Sequence, residues 1–122
     1  MVILQQDFEP AGEWEQELTE LRVRRTQVRA MGGPQALAKL HAMGRLNARE
    51  RITALLDEKS FREIGRTAGK GHYGAGGHCQ QLDPTNAIIG TGFIESRKVA
   101  LHVDDYSIRA GSSEATISDK WI

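Results

Sequence analysis

The residues able to do chemistry gather towards one end of this chain. Ile108-Arg109-Ala110-Gly111-Ser112-Ser113-Glu114 sets an arginine, a glycine and two hydroxyl side chains just ahead of a predicted helix, directly after Asp104 and Asp105. The first backbone N–H groups of a helix have no partner inside it and sit at the positive end of its dipole, so they attract an anion or an oxyanion. Arg109 adds a donor that suits a phosphate. Glycine followed by serine at a helix start is also the ordinary composition of an N-cap, and on these residues alone the cap and the binding site both stand as readings.

A second stretch with reactive side chains is Gly69-Lys70-Gly71-His72-Tyr73-Gly74-Ala75-Gly76-Gly77-His78-Cys79. His72, His78 and Cys79 are metal-ligand types, but a second well-spaced ligand pair is missing, so no metal site is expected. A phosphate loop needs the G-x-x-x-x-G-K-[ST] spacing between a strand and a helix, which is absent. Gly69 to Gly77 is therefore expected to be a flexible surface loop without regular structure, long enough to cover a bound ligand.

The elements that must position these residues can be taken in chain order. Glu13 to Ala30 carries Trp14, Leu18, Leu21 and Val28 at helical spacings, with Glu13, Glu15, Glu17 and Glu20 towards its start and Arg22, Arg24, Arg25 and Arg29 towards its end, signs that suit the helix dipole. Gly32-Gly33-Pro34 stops it. Residues 1–33 thus read as a helical arm, packed either on its own domain or on another subunit. Pro34 to Met43 forms a second helix with Leu37, Leu40 and Met43 on one side, ended by Gly44. A third helix follows within Arg45 to Leu56, where Asn47 and Glu50 have capping-box spacing and Ile52, Leu55 and Leu56 supply its buried face.

Phe61, Ile64 and Gly65 read as a short edge strand. Ala87 to Ile94 and Val99 to Val103 are two further strands, with the charged Glu95-Ser96-Arg97-Lys98 as the hairpin loop between them. This second strand leads straight into Asp104 and Asp105, and so into the loop that carries Arg109.

Composition narrows the partners. With 122 residues there is room for one small core, and 39% hydrophobic with 26% charged residues is ordinary for a soluble protein. Sixteen basic residues cancel sixteen acidic ones, which leaves no bulk field for nucleic acid or an anionic membrane, so any partner is recognised locally. The single Cys79 excludes an internal disulfide framework, no apolar run is long enough to span a bilayer, and the cytoplasm is the expected compartment.

Gly44-Arg45-Leu46-Asn47-Ala48-Arg49-Glu50-Arg51-Ile52, then Leu55-Leu56-Asp57 and Ser60-Phe61-Arg62-Glu63-Ile64, resembles the opening of the carboxyltransferase (beta) subunits of biotin-dependent acyl-CoA carboxylases, which read G-K-L-T-A-R-E-R-I, L-L-D and S-F-x-E. Gly90-Thr91-Gly92 and the Val99-to-Asp105 strand are similar to that family's next landmarks. Asp104-Asp105-Tyr106-Ser107 stands where Gln-Asp-Phe-Thr is usual, and Ala110-Gly111-Ser112-Ser113-Glu114 where Gly-Gly-Ser-Leu-Gly-Glu is usual. The resemblance covers Gly32 to the end.

The resemblance implies an α/β fold, the opening portion of a crotonase-like superhelix of strand-strand-helix units, with residues 34–122 as the start of the amino-terminal carboxyltransferase lobe. It implies transfer of a carboxyl group from carboxybiotin, carried on a partner protein, to the alpha carbon of an acyl-CoA. Biotin carboxylase, a biotin carrier and the remaining carboxyltransferase polypeptide become expected partners in an oligomer. Backbone oxyanion holes do the chemistry in this family, so a catalytic His–Asp or Cys–His pair is not required. Arg109, Ala110, Gly111, Ser112 and Ser113 are then the expected acyl-CoA contacts.

Family subunits are several times longer, and this sequence stops at Lys120-Trp121-Ile122 inside a predicted helix. A truncated piece or a naturally split subunit is expected, inactive alone. Two other functions fit the same residues: a non-catalytic assembly subunit docking through its arm, and part of a related acyl-CoA decarboxylase.

Overall fold

The computed structural model describes residues 13–112, in the order α1 (Glu15–Arg29), α2 (Gly33–Ala42), α3 (Ala48–Leu55), β1 (Arg62–Ile64), β2 (Gly69–Tyr73), β3 (Cys79–Pro84), β4 (Ala87–Ile94), β5 (Arg97–Asp104) and a 3₁₀ turn at Arg109–Gly111. The predicted helix after this turn, Ser113 and Glu114 with it, and the chain ends lie outside these residues. Among them the strands make an antiparallel three-stranded sheet, β1-β4-β5, and a separate β2-β3 hairpin.

Strand β4 owes its place to its glycines. Ile88, Gly90 and Gly92 alternate towards α3, and a Cβ on Gly92 would stand 2.5 Å from Leu56 Cδ1, one on Gly90 2.4 Å from the Arg62 carbonyl oxygen. Helix and edge strand therefore approach as closely as they do only because both positions lack side chains. The core between them joins Ile52 of α3 and Leu56 at its C-cap to Ile88, with Met31, Ala48 and Ile108 closing the ends. Each large aliphatic side chain buried there contributes about 2 kcal/mol.

The β4–β5 connection is tighter than the sequence pattern indicates. Arg97 and Lys98 belong to β5, paired with Ile94 and Phe93, which leaves a two-residue turn at Glu95 and Ser96. Both have left-handed backbones, φ 47° and 66°, as a type I′ hairpin demands. Asp57 holds these non-glycine residues there: its carboxylate accepts from Glu95 N at 2.9 Å and Ser96 N at 2.8 Å, while its own N–H donates to the Phe93 carbonyl at 2.8 Å.

Helix α3 is shorter than the predicted span, because Asn47 begins it as N-cap. Asn47 Oδ1 accepts from Glu50 N at 2.8 Å and Glu50 Oε2 accepts from Asn47 N at 2.8 Å, the complete capping box expected from the spacing. Ile52 and Leu56 are buried, but Leu55 is 52% exposed and does not face the core, because it falls on the side of the helix turned from the sheet.

The expectation of an irregular Gly69–Gly77 loop is corrected. Gly69 to Tyr73 pairs with Cys79 to Pro84, with a register shift between His72 and Tyr73. A Cβ on Gly69 would stand 2.3 Å from the Asp83 carbonyl oxygen, so this glycine serves close strand approach rather than freedom. Helix α1 covers the hairpin: Gln27 Oε1 accepts from Leu82 N at 2.8 Å, and the Arg24 guanidinium lies 5.8 Å from the Tyr73 ring centroid. Of the predicted apolar stripe, Val28 is buried, Leu18 and Leu21 are half-buried, and Trp14 is 68% exposed. Thus the described part of the arm packs on its own chain. Gly32 ties its end to the rest, donating to Ser107 Oγ at 3.2 Å.

Candidate functional site

The loop predicted to bind an anion is built on a buried aspartate. Asp105 is fully buried just beyond β5. Its Oδ2 accepts from Ala48 N at 3.0 Å, at the first turn of α3, and its Oδ1 accepts from Ser107 N at 2.7 Å. A carboxylate at a helix N-terminus is favoured by the dipole, and here it also locks the start of α3 to the end of β5. Its backbone N–H donates to the Asn86 carbonyl at 2.6 Å, which continues the β4–β5 ladder by one step.

Beyond it Ile108 returns to the core, and the backbone then takes a left-handed course: φ is 47° at Arg109, 52° at Ala110 and 75° at Gly111. Gly111 N donates to the Ile108 carbonyl and Ser112 N to the Arg109 carbonyl, both at 3.0 Å. The expectation that N–H groups here are left free for an anion is therefore corrected for Gly111 and Ser112, since the tight turn uses both. Asn86 Nδ2 donates to the Ser112 carbonyl and fixes the exit of the turn. Arg109 and Ala110 are exposed, and the charge of Arg109 reaches Asp83. Ser113 lies outside the described residues.

Gly111 also lines a cavity of about 390 Å³, whose other walls come from Leu40, Arg45, Leu46, Arg51, Asp104 and Tyr106. Arg109, Ala110 and Ser112 are not among its walls. Sequence reasoning missed Arg45, Arg51 and Tyr106. Arg45 is set by two caps back to back. Gly44 ends α2 in a left-handed conformation, with Gly44 N donating to the His41 carbonyl at 2.9 Å and Arg45 N to the Leu40 carbonyl at 3.1 Å, and two residues later Asn47 opens α3. His41 Nε2 lies 2.9 Å from Glu50 Oε1 and joins the two helices; that hydrogen bond, with the one from the Asn47 backbone, holds the Glu50 carboxyl below its ordinary value. The available signal was the arginine on either side of the Asn47 cap, but nothing in the spacing says that Tyr106 meets them.

A larger cavity, about 540 Å³, opens at the other end of α3 beside Ile52, Leu56 and Phe61, and contains none of the predicted site residues. The metal-ligand types on the hairpin separate. His72 Nε2 lies 2.7 Å from Asp83 Oδ2, His78 Nε2 lies 2.9 Å from Gln16 Nε2, and Cys79 Sγ donates to the Gln81 carbonyl at 3.3 Å. Among the described residues no three His, Cys, Asp or Glu side chains are grouped to hold a metal ion. No described helix is long and apolar enough to cross a membrane.

No protein-family model matches the chain. It is 35% identical over 105 residues to the biotin-dependent acetyl-/propionyl-coenzyme A carboxylase beta5 subunit of Mycobacterium tuberculosis, an alignment covering 84% of this chain and 19% of that one. It is 30% identical over 92 residues to the methylmalonyl-CoA decarboxylase alpha subunit of Veillonella parvula, covering 75% of this chain and 18% of the relative. In structure it matches the transcarboxylase 12S hexamer, solved with methylmalonyl-coenzyme A and methylmalonic acid bound, with a TM-score of 0.69 and 32% identity over 91% of this chain and 22% of that chain.

The fold is thus crotonase-like α/β, as the sequence motifs imply. Over most of its own length the chain is similar to the carboxyltransferase subunits of biotin-dependent acyl-CoA carboxylases, and it spans about a fifth of the length of the relatives it matches.

Proposed function

We propose that this chain is part of an acyl-CoA carboxyltransferase that moves a carboxyl group from carboxybiotin to the alpha carbon of an acyl-CoA. Its own contribution is to bind and orient the thioester through Arg109, Ala110, Gly111, Ser112 and Ser113, with Arg109 as a phosphate partner and Gly111 giving close approach to the backbone. The observation that carries this reading is the likeness to transcarboxylase 12S, a protein solved with methylmalonyl-coenzyme A bound. Biotin enters as a co-substrate on a carrier partner. The remaining carboxyltransferase polypeptide and a biotin carboxylase complete the assembly, and the cytoplasm is the compartment of this chemistry.

The test is acyl-CoA affinity in the full complex for Gly111→Val and Arg109→Ala. Each substitution is expected to weaken binding about tenfold. A Cβ at Gly111 meets no atom within 4 Å, while the left-handed backbone adds strain to a valine there that a parallel melt measures. Unchanged affinity in both variants, with the fold intact, makes the turn a structural cap only.

The similarity to the Veillonella parvula decarboxylase subunit favours a second reading, loss of a carboxyl group from a related thioester in the same fold. Carbon dioxide release from methylmalonyl-CoA by the complex without an acceptor acyl-CoA distinguishes it. Co-purification with an already complete carboxyltransferase, instead of with the polypeptide that completes this lobe, would make the chain an assembly subunit.

A further inference from the structure

We infer that Asn86 is a positioning residue for the thioester: from a buried place just ahead of β4 it holds the exit of the turn at Arg109–Gly111, and so sets how that turn meets an acyl-CoA. The inference rests on the acyl-CoA reading above and assigns Asn86 no contact with the ligand.

The turn fixes its own shape but not its own direction. Gly111 N and Ser112 N bond to carbonyls inside it, and such bonds travel with the turn wherever it points. Its entry is anchored, because Ile108 is packed in the core and Asp105 Oδ1 accepts from Ser107 N. At its exit, among the described residues, the bond that ties Ser112 to another element is the one Asn86 Nδ2 donates to the Ser112 carbonyl, across 26 positions of the chain.

Strain makes that anchor matter. The backbone is left-handed at Arg109, Ala110 and Gly111 in succession, and the first two carry a Cβ. Such a course persists only where the surrounding structure holds it, and here the hold comes from both ends of the turn.

The clamp is itself fixed. Asn86 is fully buried, and its carbonyl accepts from Asp105 N at 2.6 Å. Its buried neighbour Thr85 donates its N–H to the Ala68 carbonyl at 3.4 Å, and Thr85 Oγ1 accepts from Ala87 N at 3.3 Å. One residue therefore receives the end of β5 on its backbone and the exit of the turn on its side chain, which keeps the two at a set separation.

Stability gives a poorer account of this amide than positioning does. Among the described residues Asn86 Oδ1 meets no donor. A buried acceptor left unmet costs at least as much as one net hydrogen bond returns. Ser112 is exposed, so water can serve its carbonyl once the amide is removed. Alanine at this position then loses direction at the turn more than it loses folded structure.

The experiment uses the full assembled protein and titrates methylmalonyl-, propionyl- and acetyl-coenzyme A, the acyl groups named for its relatives, against wild type, Asn86→Ala, Asn86→Asp, Arg109→Ala and Gly111→Val. Calorimetry reads affinity and the number of sites separately. Asn86→Ala is expected to weaken binding about tenfold with as many sites as wild type. Asn86→Asp is expected to weaken it at least as much, since a side chain of the same shape then faces the Ser112 carbonyl with an acceptor. A merely structural residue would instead lose sites at unchanged affinity, and that result in both Asn86 variants overturns the inference, as does wild-type affinity in both or failure of both to assemble. Wild-type affinity in Arg109→Ala and Gly111→Val beside a loss in the Asn86 variants overturns it too, because Asn86 then acts through something other than the turn. Weakening in Arg109→Ala and Gly111→Val alone leaves the acyl-CoA reading standing without this inference. If wild type binds none of the three thioesters, the acyl-CoA reading fails, and this inference with it.

Discussion

Helix α3 on the β1-β4-β5 sheet and helix α1 on the β2-β3 hairpin are the same arrangement, a helix laid on antiparallel strands, held together by different physics. Under α3 the contact is apolar and close, since Ile52, Leu56 and Ile88 fill it and Gly92 makes room for Leu56. Its buried carboxylate is fully used, since Asp105 serves two backbone N–H groups from a buried position. Under α1 the contact is mostly polar and partly exposed. Gln27 reaches the Leu82 N–H, Glu20 and Arg24 pair beside His78 and Tyr73, and Leu82 and Val28 are the buried aliphatics. A dry contact of complementary shape resists change at single residues, and a polar one responds to pH and salt.

The largest expected effect tests the dry half. Asp105→Ala strands the N–H groups of Ala48 and Ser107 in a buried place and is expected to cost about 3 kcal/mol in chemical denaturation of the assembled protein. Asp105→Asn keeps one acceptor oxygen and should recover part of it. A loss below about 1 kcal/mol for the alanine would show that α3 is held by its apolar face alone.

Asn47→Ala removes the cap that begins α3 and is expected to cost about 1 kcal/mol. It is smaller because the Asp105 carboxylate still serves Ala48 N. A denaturation midpoint equal to wild type would mean that the capping box is redundant there.

The smallest effect belongs to the polar half. The hydrogen bond from Arg24 holds the Glu20 carboxyl below its ordinary 4.5, and those from His72 and Gln81 hold Asp83 below 3.8. A carboxyl with a lowered folded-state value adds stability that is complete above its ordinary value and is lost as pH falls through the lowered one. The α1–hairpin contact should therefore loosen below about pH 4.5, and Glu20→Gln should flatten that acid dependence. Amide exchange at Leu82 against pH is the measurement. An equal slope in both proteins would remove Glu20 from the contact.

Much of this molecule was legible residue by residue. Asn47 and Glu50 act within three positions of each other, so the α3 cap needs nothing from elsewhere in the chain, and the alternation along Ala87 to Ile94 reports burial directly. The motif from Gly44 to Ile52 carried the family for the same reason: many positions at fixed spacing record one local structure. Tertiary structure alone decided three things. It held the glycine-bearing stretch from Gly69 to Tyr73 as a strand paired with Cys79–Pro84, because α1, whose Gln27 lies far along the chain, covers the hairpin. It used the Gly111 and Ser112 N–H groups inside their own turn, since three left-handed residues in succession bring the carbonyls of Ile108 and Arg109 within reach. And it gathered Arg45, Arg51 and Tyr106 on one cavity, because side chains six and sixty-one residues from Arg45 meet it only when α3 docks on the end of β5 through Asp105.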